Sequence, residues 1–367
     1  MANVSSAPLT LIVRQLHDTL QRGGQFMFGR ALRFGSEIPI LRFALIVLVV
    51  LSTFLAAFPV DAQGPQKVFR VGHLGVGGRT PDDSAPRALR EALRGLGYVE
   101  GQNIVYEARF AEGKLERLPD LAADLVRLKV DVIVSAGGAA TEAAKRGTST
   151  IPIVMAPASG DAVAVGWVAT LAHPGSNITG LSDESIQLSA KRMELLKEAV
   201  PQAALIAVIW NANDQGMTLR YREIERAARK LNVEVQAIGV RTPEEFAAAF
   251  AAMTRRKPDA MFLVSDVLTA MNRKQFVEFA ATNRIPAMYE FNFFVQDGGL
   301  MSYGSSFDDE FREAARYIDR ILKGAKPAEL AAIQPSRYYL SVNRKTAAAL
   351  GLTIPTSLLL RTNELVE

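Results

Sequence analysis

The chain has 367 residues, 49% apolar and 22% charged, with three histidines and no cysteine. This fits a globular protein of about two domains and excludes a disulfide framework, a thiolate metal site, a cysteine nucleophile and a lipid-modified cysteine. The formal charge of +4, from 42 basic and 38 acidic residues, is too small for a phosphate-neutralising stripe, so nucleic acid is not an expected partner.

The segment FALIVLVVLSTFLAAFPV (43–60) is almost wholly apolar, follows Arg30, Arg33 and Arg42, and precedes the small-residue site Val60-Asp61-Ala62. That order predicts a secretory signal peptide cleaved after Ala62 and a periplasmic protein; left uncleaved, the run would anchor the chain. The 42 residues ahead of it exceed what a signal peptide needs, which makes Met27 a second candidate start. Removal of residues 1–62 leaves 37 basic and 35 acidic residues, a nearly neutral protein.

From residue 68 the pattern alternates strand and helix. VFRVGHLG (68–75) reads as a strand, and 86–96 as a helix with Leu89, Leu93 and Leu96 on one face. IVYEARF (104–110) follows as a strand and 114–128 as a helix, with Leu118, Leu121, Leu125 and Leu128 at three- and four-residue spacing. The strands KVDVIVSAGG (129–138) and IPIVMA (151–156) enclose a helix over 139–145, and a short helix is expected over 162–171. LAHPGSNITGLS (171–182) is rich in turn formers and reads as a crossing between two lobes. Beyond it, helices are expected at 187–200, 217–231, 243–254, 269–281, 308–322 and 346–350. Strands are expected at 204–211, 233–240, 257–266, 285–290 and 338–343, with a second crossing at 300–304 and a third before residue 338.

The two halves resemble each other. Asp131 matches Asp259, Ser135 matches Ser265, and Ile151-Pro152 matches Ile285-Pro286. Repeated strand, helix, strand units predict an α/β fold of two doubly wound parallel-sheet lobes. The expected lobes are 67–178 with 305–334, and 179–304 with 335–367.

LAHPGSNITG (171–180), LGYVEGQNI (96–104), LMSYGSSFDDEFREAARYIDRILKGAKPAEL (300–330) and VNRKTAAALGLTIPTSLLLRTNELVE (342–367) resemble the tryptophan/tyrosine-type ABC transporter substrate-binding proteins. The likeness runs from residue 68 to the C-terminus. It implies the type I periplasmic-binding-protein fold and no enzymatic activity. It also implies a monomer without cofactor that takes a small solute by hinge closure and delivers it to an ABC permease and its ATPase subunit. A ligand-sensing module of a periplasmic signalling system is the alternative. The chain has Asp161-Ala162 and Asn211-Ala212 where the family often has Asp-Pro and Asn-Pro, and both turns border the expected cleft.

Ligands of open parallel sheets lie beyond the carboxyl ends of the strands. There Ser135, Gly137, Gly138 and Thr141 form a strand-to-helix turn whose N–H groups suit a carboxylate, although tight packing alone also demands small residues there. Asp266 and Glu290, at the ends of the matching strands, suit an amine, so an amino-acid-like solute is expected. Asp161 and Asn211 fit either ligand contacts or helix N-caps. Trp210, Tyr289, Phe291, Phe293, Phe294 and Tyr303 offer either an aromatic wall or core. The segment 75–80 lacks the third glycine of a dinucleotide fingerprint, and no phosphate-binding loop or H-E-x-x-H occurs. No metal site is expected.

Overall fold

The computed structural model describes residues 67–78, 84–156, 161–183 and 185–367. The apolar run at 43–60, the Ala62 cleavage site and the Met27 start lie outside them.

Five strands, β1 (Phe69–Gly75), β2 (Ile104–Phe110), β3 (Val132–Ala136), β4 (Ile153–Met155) and β5 (Ile178–Gly180), form a sheet in the order β2-β1-β3-β4-β5. All its neighbours are parallel. Crossover helices α1 (Ser84–Gly95), α2 (Leu118–Arg127) and α3 (Gly138–Gly147) cover it. Val132 and Val134 meet Leu89 and Leu93 on one face, while Ile133 meets Leu118, Leu125 and Ala140 on the other. Burial on both faces is why β3 is apolar without alternation.

The second sheet contains β6 (Leu205–Asn211), β7 (Glu234–Val240), β8 (Ala260–Leu263), β9 (Ala287–Tyr289), β10 (Met301–Gly304), β11 (Tyr339–Asn343) and β12 (Glu364–Val366). Their order is β12-β11-β10-β9-β8-β6-β7, parallel except where β11 returns beside β10. Helices α4 (Ser185–Ala199), α5 (Gln215–Lys230), α6 (Phe246–Arg256), α7 (Val267–Met271), α8 (Arg273–Thr282) and α9 (Asn292–Gln296) belong to this half. The helix α10 (Phe307–Leu322) goes back to the first sheet, where Phe311, Ala315 and Ile318 join Leu89 and Leu93. α11 (Arg344–Leu350) and α12 (Thr356–Leu359) close the second half.

The internal repeat is visible in hydrogen bonds. Asp131 accepts from the Arg70 N–H at 2.7 Å, as Asp259 accepts from Ala204 and Leu205 at 2.8 and 2.9 Å, each carboxylate tying together the starts of two neighbouring strands. Pro152 and Pro286 each accept the N–H of Ile133 and Met261, both at 2.8 Å. Lys129 and Lys257 both stand at φ 51, ending the preceding helix in the left-handed conformation at the same place in each half.

Three expectations change. Residues 162–171 form no helix: Asp161 starts one turn, Gly166 at φ 72 ends it, and Trp167 and Val168 then enter the core. The predicted 269–281 helix is divided at Asn272 into α7 and α8. Residues 178–180 and 301–304 are full strands of their sheets, so the connections proper begin after Gly180 and Gly304. The first and third connections run side by side, with Ser182 N–H donating to the Ile333 carbonyl at 2.8 Å and Ile333 N–H to Gly180 at 2.9 Å.

Candidate functional site

In the first half the carboxyl end of β3 opens α3. Gly137 stands at φ 98, a conformation disfavoured for side chains with a Cβ, and an added Cβ would lie 3.0 Å from Val76 Cγ2. Ser135 Oγ and Thr141 Oγ1 are 2.8 Å apart and buried, and Thr141 donates to the Gly137 carbonyl at 3.2 Å. Ser135 and Thr141 thus brace the turn from beneath. Among the described residues no side chain caps α3, and the first N–H groups of this ten-residue helix, beginning at Gly138, point beyond the strand end as donors.

In the second half Asp266 caps α7, accepting from the Thr269 N–H at 3.0 Å, while the Asp266 N–H donates back to Thr269 Oγ1 at 3.0 Å. Its other oxygen accepts from Asn211 Nδ2 at 2.7 Å. Among the described residues no cation pairs with Asp266, so its negative charge is unneutralised. Asn211 also accepts the Asn213 N–H at 2.9 Å and therefore acts as a turn former. Val267, the residue after Asp266, packs into the same cluster as Val76, Ala139 and Ala140. That contact sets α7 of the second half against the first half. Ser265 Oγ, buried at the end of β8, has no hydrogen-bond partner among the described residues.

Glu290 departs from expectation. It is wholly buried, with Oε1 accepting from Arg192 Nη1 at 2.9 Å and Oε2 from Arg220 Nη1 at 2.9 Å and the Ser265 N–H at 3.2 Å. Both oxygens are spent inside the protein, which corrects its assignment as an amine ligand. Burial opposes the Arg220 charge, but Glu290 and Asp183 outweigh it and hold the guanidinium pKa above its usual value. Asp161 starts a turn and caps no helix: one oxygen accepts from the Val163 and Ala164 N–H groups at 3.1 and 3.0 Å. Tyr303 is half-buried near the end of β10, 6.1 Å from the Tyr338 ring, and its carbonyl accepts from Arg192 Nε at 2.6 Å.

The aromatic residues are mostly core. Tyr289 stacks on Phe294 at 4.7 Å with both buried, and Trp210 stacks on Tyr221 at 3.9 Å. Phe307, at the start of α10, meets Phe291 and Phe293 at 4.8 and 5.9 Å. His73 is buried between Phe110 and Phe311, and burial, aided by Arg90, pushes its pKa down to about 4, so it is neutral at pH 7.

Arg192 and Arg220 were not among the candidates. Arg192 occupies the buried face of α4 with Ser189 and Leu196, and Arg220 that of α5 with Met217 and Ile224. An arginine at an apolar-face position of a helix is the signal that marks such residues.

The chain is similar to solved structures and matches a family model. The model described as ABC transporter substrate binding protein matches residues 82–366. The chain belongs to that family. As a member it binds a small solute outside the cytoplasm and works with an ABC transporter; proteins of this family are not enzymes. A curated relative, the tyrosine-binding protein of Clostridioides difficile, is 27% identical over 271 residues, covering 74% of this chain and 77% of the relative. The ABC domain of a Streptococcus pneumonia protein, solved with L-Trp, superposes with a TM-score of 0.75 at 25% identity. It covers 82% of this chain and 100% of its own. A conserved domain protein from Vibrio cholerae gives the same values.

Proposed function

We propose that the protein is the periplasmic receptor of an ABC importer for an amino-acid-like solute. The observation that carries this reading is a pair of unlike poles at the carboxyl ends of matching strands in the two halves: the N-terminus of α3, which no described side chain caps, and the Asp266 carboxylate, which no described cation pairs, with Val267 beside it packed on the first half. A helix N-terminus favours a carboxylate, and an unneutralised aspartate favours an ammonium group. The tyrosine-binding and L-Trp-bound relatives support the same class of solute.

In this reading the signal peptide is cleaved after Ala62. The freed monomer closes by rotation of two bodies about the three connections, the first boundary falling after Gly180 because β5 pairs along its whole length with β4. Release is to a permease whose ATPase is a separate chain. Native mass spectrometry of protein purified gently from the periplasm tests the proposal. The expected result is one small molecule per chain, released on denaturation and carrying both amine and carboxylate. A stoichiometric solute lacking either group overturns it.

A further inference from the structure

Asp183, Arg192, Arg220 and Glu290 come from four different segments and form one continuous buried network. Asp183 Oδ2 lies 2.6 Å from Arg220 Nη2, Arg220 Nη1 lies 2.9 Å from Glu290 Oε2, and Arg192 Nη1 lies 2.9 Å from Glu290 Oε1. The Arg192, Arg220 and Glu290 side chains are 1%, 8% and 0% exposed, whereas Asp183 is 17% exposed. Two positive and two negative groups make the set neutral.

The network ends at mechanically distinct places. Asp183 belongs to the first connection between the halves. Arg192 Nε donates to the Tyr303 carbonyl at 2.6 Å, just ahead of the second connection. An added Cβ at Gly304 would lie 2.1 Å from the Glu290 carbonyl oxygen, so that connection rests directly on Glu290. Glu290 also accepts the Ser265 N–H, the residue before the Asp266 cap that opens α7. One carboxylate therefore joins the cleft turn to both connections.

A buried ion cluster is weak evidence of stability, since apolar residues of similar volume often do as well or better, and in some proteins its use lies in fixing one geometry. Glu290, held by two guanidinium groups and an N–H, has a single orientation available. Asp183 is the most exposed member, and its carboxylate is the one on a connecting segment.

We propose that Asp183 is a latch, with Arg220 and Glu290 as positioning residues for solute binding. The Asp183–Arg220 pair favours the arrangement of the halves present here, in which Val267 of α7 touches the first half. Glu290 passes that constraint to the Ser265-Asp266 turn. A receptor whose binding-competent arrangement is partly populated has its apparent affinity reduced by that fraction, so the latch raises affinity without touching solute. The inference rests on the cleft being the solute site, but its first test needs no solute.

The absence of cysteine permits specific spin labelling. Glu116→Cys before α2 and Lys274→Cys in α8 place labels on exposed sites of the two halves. Distances are measured by pulsed electron resonance in full-length protein without solute. Asp183→Asn is expected to move the distribution toward longer separations, and Asp183→Glu to restore the short one. Superimposable distributions for Asp183→Asn and the parent overturn the latch whatever the solute proves to be. With the solute identified by mass spectrometry, Asp183→Asn is expected to raise its dissociation rate about tenfold with its association rate within twofold, about 1.4 kcal/mol by the usual conversion. An unchanged dissociation rate contradicts the latch and leaves the solute assignment standing. Circular dichroism superimposable on the parent shows that the variant is folded.

Discussion

Asn211 Nδ2 and Asp266 Oδ2 meet at 2.7 Å across the ends of the neighbouring strands β6 and β8. The aspartate is held by this bond and by its own cap, so its position does not depend on solute. Asp266→Asn keeps a good N-cap, since asparagine and aspartate are nearly equivalent there, but removes the charge. The melting temperature is expected to stay within a few degrees of the parent, while affinity for an ammonium-bearing solute falls about tenfold to a hundredfold, the range for a hydrogen bond to a charged group. Thermal scanning and titration of the same variant check both parts.

Glu290 behaves differently, because its removal strands two buried guanidinium groups. Glu290→Ala is expected to cost about 3–5 kcal/mol of unfolding free energy. Denaturant titration measures it. A loss below 1 kcal/mol would show that the arginines find other partners.

Glu310, buried in the first turn of α10, has its pKa raised to about 8 by burial, with Asp183 and Asp309 adding to the effect and a Ser305 hydrogen bond opposing it. The folded pKa lies above the unfolded one, so the native state holds the proton more tightly. The resulting stabilisation is fully present below about pH 4.5 and is lost as pH rises to about 8. Relative to the parent, Glu310→Gln should gain about 1.4 kcal/mol per pH unit within that window and nothing further above it. Unfolding titrations of both proteins at pH 5, 6.5 and 8 check the sign.

Gly180 stands at φ 117, and a Cβ there would lie 2.4 Å from the Met155 carbonyl oxygen. Gly351, at φ 72, has open space around it. Gly351→Ala is expected to cost about 1–2 kcal/mol, the left-handed penalty alone. Gly180→Ala should cost distinctly more because β4 must also move, and equal losses in denaturant titration would contradict the packing argument.

The legible parts of the chain were those whose partners are near in sequence or repeated. The strand pattern and the Asp131/Asp259 match report backbone pairing that each half performs alone. Asp161 was readable as a local turn-former rather than a helix cap, because the N–H groups that donate to it are two and three residues away. Gly166 was the missed stop signal in 162–171. Glu290 was misread because its arginines are 98 and 70 residues distant, and nothing local distinguishes a carboxylate facing solute from one facing guanidinium groups. Buried arginine on the faces of α4 and α5 was the available clue.

The most direct test of the central claim is isothermal titration of protein freed of endogenous solute with a panel of amino acids, including L-tyrosine and L-tryptophan, and their methyl esters and N-acetyl derivatives. The account predicts saturable heat at one molecule per chain for at least one free amino acid, lost on esterification because the α3 N–H groups have no carboxylate to bind, and lost on acetylation because Asp266 has no ammonium group. Binding of an ester and an N-acetyl derivative as tightly as the parent amino acid, or no heat with any member of the panel, would contradict it.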